Sequence, residues 1–209
     1  MDFTILLSGD VTVTERLKEQ IKGTRVIAAD GGIVHAKTLG VIPELWVGDF
    51  DSCAASHLEE YAHIPRLTFN RDKDKTDGEI ALNKALEAGA KRIVFCGAFG
   101  GARTDHALAH INIAIDQKEK GVFILLTSGH EEAFALCDEE QEMVLAPRTL
   151  FSILGHTDFK GLTIKGARWN LDDVDVSYGR AGMVSNEAEG TIKVRLRSGR
   201  GIVMASLLT

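Results

Sequence analysis

Up to about residue 130, short apolar runs alternate with segments of helical periodicity. Val13, Leu17 and Ile21 recur four residues apart and predict a helix over 12–22 that ends at Gly23. Strands that alternate with helices in this way are typical of an α/β domain with a mostly parallel sheet covered on both faces. The predicted helices lie at 12–22, 33–39, 76–88 and 104–120, and the predicted strands at 3–7, 26–29, 45–47, 67–69, 92–96 and 122–126.

After about residue 130 the helical periodicity stops, and short strand-like runs follow one another, separated by turn signals such as those at 160–161 and 198–199. This pattern predicts a small all-β domain. We therefore expect an α/β domain over 1–129 and an all-β domain over 130–209. The predicted strands of the second domain lie at 133–136, 143–145, 150–154, 162–164, 191–196 and 202–205.

Polar and glycine-rich segments follow the predicted strands of the first domain, at 30–32, 48–52, 70–77 and 97–106. Because the carboxyl ends of parallel strands share one edge of the sheet, we expect these segments to lie at that edge. Ligands of open α/β sheets bind there, in the crevice beyond the strand ends. The sequence therefore predicts a binding site at this edge.

Five aspartates in these segments can form an acidic cluster. Carboxylates that converge on one point repel each other unless a cation lies between them. Magnesium is a suitable cation, because it binds through one or two carboxylates together with substrate phosphates. The alternative is that these acids are helix N-caps and first-turn residues, which the helix dipole favours. The five are Asp30, Asp49, Asp51, Asp74 and Asp77.

Four residues of the segment 97–103 suit the binding of a phosphate: three glycines and Arg103. Glycines let the backbone approach a phosphate, and a helix N-terminus that follows adds N–H donors. Arg103 can hold a phosphate through two parallel hydrogen bonds. The chain contains no G-x-x-x-x-G-K-[ST] sequence, so this is not a P-loop. The alternative is a tight strand-to-helix turn, and Asp105 and His106, taken alone, are better explained as a surface capping pair.

In the second domain, Ser185 and Asn186 can hydrogen-bond a small polar ligand, although a hairpin turn explains the segment equally well. Trp169 can stack on an aromatic ligand, but a lone tryptophan is more often part of the core.

The composition limits the class of protein. Hydrophobic residues make up 44% of the 209 residues, which is enough for a core, and the net charge of -6 does not suggest a nucleic-acid partner. The three cysteines include no C-x-x-C pair, so neither a disulfide framework nor a zinc site is expected. The segment 1–4 lacks the basic flank of a signal peptide, and no apolar stretch approaches the ~20 residues of a membrane span. We therefore expect a cytoplasmic protein without a membrane partner.

Taken in order, these segments resemble the thiamin pyrophosphokinase family. The chain departs from the family pattern at Ala102, since the sequence there is Gly-Ala-Arg instead of Gly-Gly-Arg. The aromatic residue that would stack on thiamin is not identified, because Trp169, Trp46 and Phe99 are all candidates. The matching segments are 29–32, 48–52, 74–79, 100–106, 166–171 and 185–187.

The resemblance implies a magnesium-dependent enzyme that transfers a diphosphate group from ATP to the hydroxyl of thiamin and releases AMP. It also implies an α/β nucleotide-binding domain followed by a β-sandwich, in a homodimer with thiamin at the subunit interface. Two rival functions stay open: a metal-dependent phosphohydrolase that uses the same acidic cluster, and a thiamin sensor without turnover.

Site residues follow from the resemblance, position by position. Asp49, Asp51 and Asp77 match the family's metal and catalytic aspartates, and Asp77 is our choice for the base. Ser185 and Asn186 match the thiamin-binding motif. The positions that match ATP-binding residues are Asp30, Gly31, Asp74, Thr76, Gly100, Arg103, Asp105 and His106.

Overall fold

The structure is a computed structural model that describes residues 1–50, 53, 55–69, 75–180 and 183–207. The chain forms two compact units. The first consists of Met1–Ala107 with Thr127–Gly129, and the second of Leu108–Leu126 with His130–Thr209. The division at residue 129 that the sequence suggests stays a prediction.

The first unit is built on a parallel sheet of five strands, in the order β5-β1-β2-β3-β4. This sheet, with its intervening helices, confirms the predicted α/β fold. The elements are β1 (Asp2–Leu6), α1 (Glu15–Ile21), β2 (Arg25–Ala29), a 3-10 turn (Asp30–Val34), α2 (His35–Leu39), β3 (Leu45–Gly48), α3 (Ala55–Glu60), β4 (Arg66–Thr68), α4 (Asp77–Glu87) and β5 (Arg92–Cys96).

The order of the strands creates a topological switch point beside β1. From β1 the chain runs outward through β2 and β3 to β4, and it then returns to place β5 on the other side of β1. In open α/β sheets, ligands bind outside the carboxyl ends of the two strands at which the order reverses. We therefore expect a ligand-binding site at the carboxyl ends of β1 and β5.

Helix α4 begins as its sequence predicts. Thr76 and Glu79 form a complete capping box, in which each side chain accepts a hydrogen bond from the other residue's backbone N–H. The helix then buries Ile80, Ala81 and Ala85. The N-terminus of α4, and with it Asp77, is fixed by local sequence.

Helix α1 begins later than the predicted 12–22. Thr14 is its N-cap, with an extended backbone and a side chain that accepts from the N–H of Leu17. The N–H of Thr12 donates to the carbonyl of Ser128 at 2.8 Å, outside any helix. The spacing of apolar residues carries no information on this long-range hydrogen bond, so it predicted a helix start that is too early.

The second unit is mainly antiparallel β structure, and it confirms the predicted second β domain. Strands β9, β13 and β7 pair in that order, and β11, β10, β12 and β8 form a second set, with β12 pairing to both. Their buried side chains share one hydrophobic cluster. After helix α5 (Thr104–Glu119), the strands are β6 (Phe123–Thr127), β7 (Glu131–Leu136), β8 (Gln141–Met143), β9 (Leu150–Gly155), β10 (Phe159–Ala167), β11 (Leu171–Val176), β12 (Asn186–Arg195) and β13 (Gly201–Ser206).

The helices of the described residues have at most 16 residues. None of them combines the length and the apolar character that spanning would need.

Candidate functional site

The turn that follows β2 packs against the end of β1. A Cβ atom added to Gly32 would lie under 3.0 Å from the carbonyl oxygen of Leu6, so only glycine fits at this position. A Cβ at Gly31 would lie 3.2 Å from the hydroxyl of Ser8. The predicted ATP-binding residue Gly31 therefore lies at the carboxyl end of β1, beside the switch point.

Asp30 begins this turn with a positive φ of 44°, which aspartate tolerates better than most residues. Its backbone carbonyl accepts a hydrogen bond of 2.9 Å from the indole N–H of Trp46. Its carboxylate oxygen Oδ1 would lie 3.6 Å from a Cβ at Gly48. Asp30 thus projects toward the carboxyl end of the neighbouring strand β3.

The loop after β3 holds the next predicted acid, Asp49, which is half-buried. Phe50 follows it with a φ of 60°, an uncommon conformation for an aromatic residue that costs about 1–2 kcal/mol. Its ring packs edge-on against Trp46, with the centroids 4.8 Å apart, and this contact offsets part of the strain. Backbone strain of this kind concentrates at functional sites.

The structure describes one of the three remaining acidic candidates. Asp77 is the first residue of α4 and is half-buried, whereas Asp51 and Asp74 lie outside the described residues. Within the described ranges, no three His, Cys, Asp or Glu side chains come together as a set of metal ligands. The role of the acidic cluster as a metal site therefore stays a prediction.

The loop after β1, residues 8–10, is not among the site segments predicted from the sequence. Its backbone pairs with the loop after β5: the N–H of Gly9 donates to the carbonyl of Gly97 at 3.0 Å, and that of Asp10 to Phe99 at 2.9 Å. A Cβ at Gly9 would lie well under 3.0 Å from both of these carbonyl oxygens. The two loops at the switch point are held in direct backbone contact, and Gly9 makes this contact possible.

Side chains reinforce the same contact. The carboxylate of Asp10 accepts the N–H of Gly101 at 3.0 Å. The Nε2 atom of His35 lies 2.9 Å from the carbonyl oxygen of Gly9, and since a carbonyl only accepts, Nε2 carries the proton. Burial lowers the pKa of His35, against the opposing effects of the Gly9 carbonyl and of Asp10. His35 is therefore a neutral donor that supports the loop near pH 7.

A signal for this loop was present in the sequence. Residues 8–10 follow a strand and combine glycine with an acid, the same pattern that singled out residues 30–32 and 48–52. His35 gave no such signal, because its partner is a backbone carbonyl 26 positions away.

The glycine loop after β5 carries the predicted nucleotide-binding residues. Gly100 and Gly101 have φ values of 73° and 71°. Beyond them, Arg103 donates through Nε and Nη2 to both oxygens of Asp105, at 2.9 and 2.6 Å. The Arg103 guanidinium lowers the pKa of Asp105 to about 2.

Two other predicted ATP-binding residues have structural roles in this region. Thr76 uses its hydroxyl in the capping box of α4, where it lies 3.2 Å from the N–H of Glu79. His106, in the first turn of α5, donates its backbone N–H to the carbonyl of Arg103 at 3.1 Å. Their contact with a nucleotide stays a prediction.

The predicted thiamin-binding residues differ sharply in exposure. Ser185 is exposed and has a φ of 62°, and its backbone N–H donates to the hydroxyl of Ser152. Asn186 is only 8% exposed, and its amide is hydrogen-bonded to the backbone of Trp169. Ser185 is therefore accessible to a ligand whereas Asn186 is buried, although the sequence predicts both as thiamin-binding residues.

Exposure also distinguishes the three aromatic candidates. Trp46 is 0% exposed and Phe99 is 4% exposed, so neither ring is open to a ligand. Trp169 is 52% exposed. Of the three, it alone presents an accessible ring.

Comparison with protein families gives two matches along the chain. Residues 18–126 match the family described as "Thiamin pyrophosphokinase, catalytic domain", and residues 139–203 match "Thiamin pyrophosphokinase, vitamin B1 binding domain". The curated thiamine pyrophosphokinase of Bacillus subtilis (strain 168) is 30% identical over 165 residues, covering 77% of this chain and 77% of that protein.

Solved structures share the fold. The thiamine pyrophosphokinase of Bacillus subtilis superposes with a TM-score of 0.88 at 22% identity, over 100% of both chains. A thiamin pyrophosphokinase family protein from Enterococcus faecalis gives 0.82 at 22% identity, again over 100% of both chains. The enzyme from Candida albicans gives 0.77 at 14% identity, over 98% of this chain and 90% of that one.

Proposed function

Because the chain belongs to the thiamin pyrophosphokinase family, whose enzymes transfer a diphosphate group to thiamin, we propose that it uses ATP as the donor and Mg²⁺ as the metal. The products are thiamin diphosphate and AMP. The observation that carries this proposal is the match of a catalytic domain over 18–126 and a vitamin B1 binding domain over 139–203, in that order.

The triphosphate of ATP binds at the switch point between β1 and β5. Two features support this position: the backbone at Gly100 and Gly101, whose positive φ values suit glycine, and the N-terminus of the 16-residue helix α5 directly after it. The N–H of Gly101 and the guanidinium of Arg103 now hydrogen-bond to Asp10 and Asp105. A phosphate would compete with these two carboxylates, because it presents the same kind of anionic oxygen to the same donors.

Asp49 and Asp77, together with Asp51, would hold the magnesium ion. Carboxylate oxygens are the ligands that this hard cation prefers, and one or two of them suffice when substrate phosphates complete the coordination. Both described members are half-buried, so their charges are only partly screened by water. When bound, the metal neutralises charge that develops on the phosphate oxygens.

Catalysis then depends mainly on placement and electrostatics, as in phosphoryl transfer generally. The hydroxyl of thiamin attacks the β-phosphorus in line, and AMP leaves. Asp77 accepts the hydroxyl proton, and Arg103 holds a phosphate away from the metal. The strained backbone at Phe50 and the capping box before Asp77 each fix one acid in place, which favours a preorganised site.

Thiamin binds with its ring stacked on Trp169 and with the hydroxyl of Ser185 as a hydrogen-bonding partner. The exposure of both side chains supports this assignment. An electron-rich indole face also attracts a cationic ring such as the thiazolium of thiamin.

The active unit is a homodimer with thiamin at the subunit interface. Exposed apolar side chains of the second unit support an interface there, because apolar patches of this kind commonly mark contact surfaces. Three of them, Leu154, Tyr178 and Val184, line one surface cavity together. Sedimentation equilibrium tests this part directly, since a monomer at micromolar concentration would contradict it.

The proposal is tested by measuring AMP release from ATP with and without thiamin, and with and without Mg²⁺. AMP that requires both supports the assignment. The Asp49→Asn variant should lose at least about 10²-fold in turnover, because it removes a charge aimed at the transition state. Asp116→Asn is the matched control, since that exposed aspartate of α5 pairs with Lys120 just after the helix end and its variant should keep full activity. Phosphate release without thiamin would instead identify a phosphohydrolase, and thiamin binding without turnover would identify a sensor.

A further inference from the structure

The side-chain amide of Asn186 is hydrogen-bonded to the protein through both its oxygen and its nitrogen. Its Oδ1 accepts the N–H of Trp169 at 3.2 Å and the N–H of Glu187 at 2.9 Å. Its Nδ2 donates to the carbonyl oxygen of Trp169 at 2.9 Å. Both backbone polar groups of Trp169 are therefore held by one side chain, as a neighbouring strand would hold them.

This pattern of bonds requires an asparagine. A carbonyl oxygen has two lone pairs, both of which are occupied here, and one of the two Nδ2 hydrogens is also bonded. An aspartate could accept from the two N–H groups but would face the Trp169 carbonyl with a second oxygen. Because Asn186 is 8% exposed, water cannot readily replace a lost bond.

The segment that Asn186 holds is the three-residue connection between β10 and β11, residues 168–170. Further hydrogen bonds hold this connection. The N–H of Ala167 donates to Oδ1 of Asn170 at 3.1 Å, and the N–H of Arg168 donates to the carbonyl of Glu187 at 2.9 Å. The centre of the connection, Trp169, depends on Asn186 for its position.

The indole ring of Trp169 is restrained on one face. The guanidinium of Arg168 lies 4.7 Å from the ring centroid, and the carboxylate of Glu187 holds Arg168 at 2.9 Å. A cation stacked on an aromatic face stabilises the pair by about 0.5–1 kcal/mol at an exposed site. With one face covered by Arg168, stacking by a ligand is left to the opposite face.

We propose that Asn186 is a positioning residue that acts on thiamin binding through Trp169, with Ser185 as the residue of the pair that touches thiamin. Its amide fixes the backbone of Trp169, and this fixes the ring face on which thiamin stacks. The inference rests on the proposed function for the identity of the ligand. The hydrogen bonds between Asn186 and the backbone of Trp169, called the clamp below, do not depend on the proposed function.

The test is a double-mutant cycle on thiamin affinity, measured by titration calorimetry. Trp169→Ala should raise the dissociation constant about tenfold or more, the effect of losing a stacked ring. Asn186→Ala should raise it severalfold in the wild-type background but less than about twofold in the Trp169→Ala background, because coupled residues are not additive. Ser185→Ala should keep its full effect in both backgrounds.

Asn186→Asp separates the two possible roles further. If Asn186 touched the cationic substrate, a carboxylate would preserve or improve affinity. If it positions Trp169, the carboxylate repels the Trp169 carbonyl, and the affinity falls as far as in Asn186→Ala. In steady-state kinetics, both Asn186 variants should raise the KM for thiamin while the KM for ATP stays unchanged.

Tryptophan fluorescence tests the clamp in the absence of substrate. The chain has two tryptophans, and Trp46 is fully buried, so acrylamide quenching of the fluorescence reports on Trp169. The Asn186 variants should show lower anisotropy and stronger quenching, and Trp169→Phe supplies the signal of Trp46 for subtraction.

The outcomes of these experiments separate a failure of the proposed function from a failure of the positioning role. Wild-type protein that binds no thiamin would overturn the proposed function. Thiamin binding with additive effects of Asn186→Ala and Trp169→Ala, or with unchanged Trp169 fluorescence in the Asn186 variants, would overturn the positioning role while leaving the function intact.

Discussion

Replacement of Gly9 by alanine tests whether the contact between the loops after β1 and β5 controls activity. The added Cβ would lie well under 3.0 Å from the carbonyl oxygens of Gly97 and Phe99, closer than real Cβ atoms approach. Both obstacles are backbone atoms, so neither can rotate away. The two loops must separate, and the hydrogen bonds from Gly9 and Asp10 must lengthen or break.

The size of the effect follows from these contacts. Overpacking against rigid atoms costs about 1–3 kcal/mol. Each weakened backbone hydrogen bond adds about 0.5–1.5 kcal/mol. Gly9→Ala should therefore lower the free energy of unfolding by about 2–6 kcal/mol. A displacement of about 1 Å at a catalytic site lowers turnover by about 10²-fold, and we expect a loss of that order in AMP release from ATP.

Gly23→Ala is the control for Gly9→Ala. Gly23 lies after α1, with a φ of 72° and no atom within 4 Å of an added Cβ. Its variant should lose about 1–2 kcal/mol from the left-handed backbone alone and keep normal turnover. Thermal unfolding and steady-state turnover measure both variants. If Gly9→Ala unfolds and turns over like the wild type, the loop contact does not organise the site.

Two further changes address neighbouring parts of the same edge. Thr76→Ala removes the capping box of α4 and should lower the stability by about 1 kcal/mol, seen as a lower Tm, whereas an unchanged Tm would show that the cap does not stabilise α4. The pKa of Asp105, about 2 beside Arg103, should return toward its usual 3.8 in Arg103→Ala, as followed by NMR of the carboxyl carbon. Because the folded pKa is the lower one, the stabilisation from this pair is present above about pH 4 and is lost as the pH falls toward 2. Titration of Asp105 near 2 in the variant would show that Arg103 is not the cause.

Much of the first unit could be predicted from sequence because its signals are local. The start of α4 was predicted within one residue, since both partners of its capping box lie within one helical turn. Buried strands such as β5 were found from their continuous apolar runs. The start of α1 was predicted too early, because Val13 extends the apolar period and the hydrogen bond from Thr12 to the distant Ser128 leaves no local signal.

The second unit was harder to predict for a different reason. Strand β11, with the sequence LDDVDV, lies at the edge of its sheet with mostly exposed side chains, so it carries no apolar pattern. The motif at Ser185 and Asn186 indicated a binding segment but not which side chain faces outward. Only the burial of Asn186 against Trp169 distinguishes a contact residue from a positioning residue.

The proposed reaction moves a diphosphate group intact from ATP to thiamin. Phosphorus NMR on the purified protein with ATP, thiamin and Mg²⁺ tests it most directly, because every phosphorus-containing product is seen at once. We predict that the resonances of thiamin diphosphate and AMP grow together in equal amounts, and only when thiamin is present. ADP or inorganic phosphate that forms independently of thiamin would contradict this proposal.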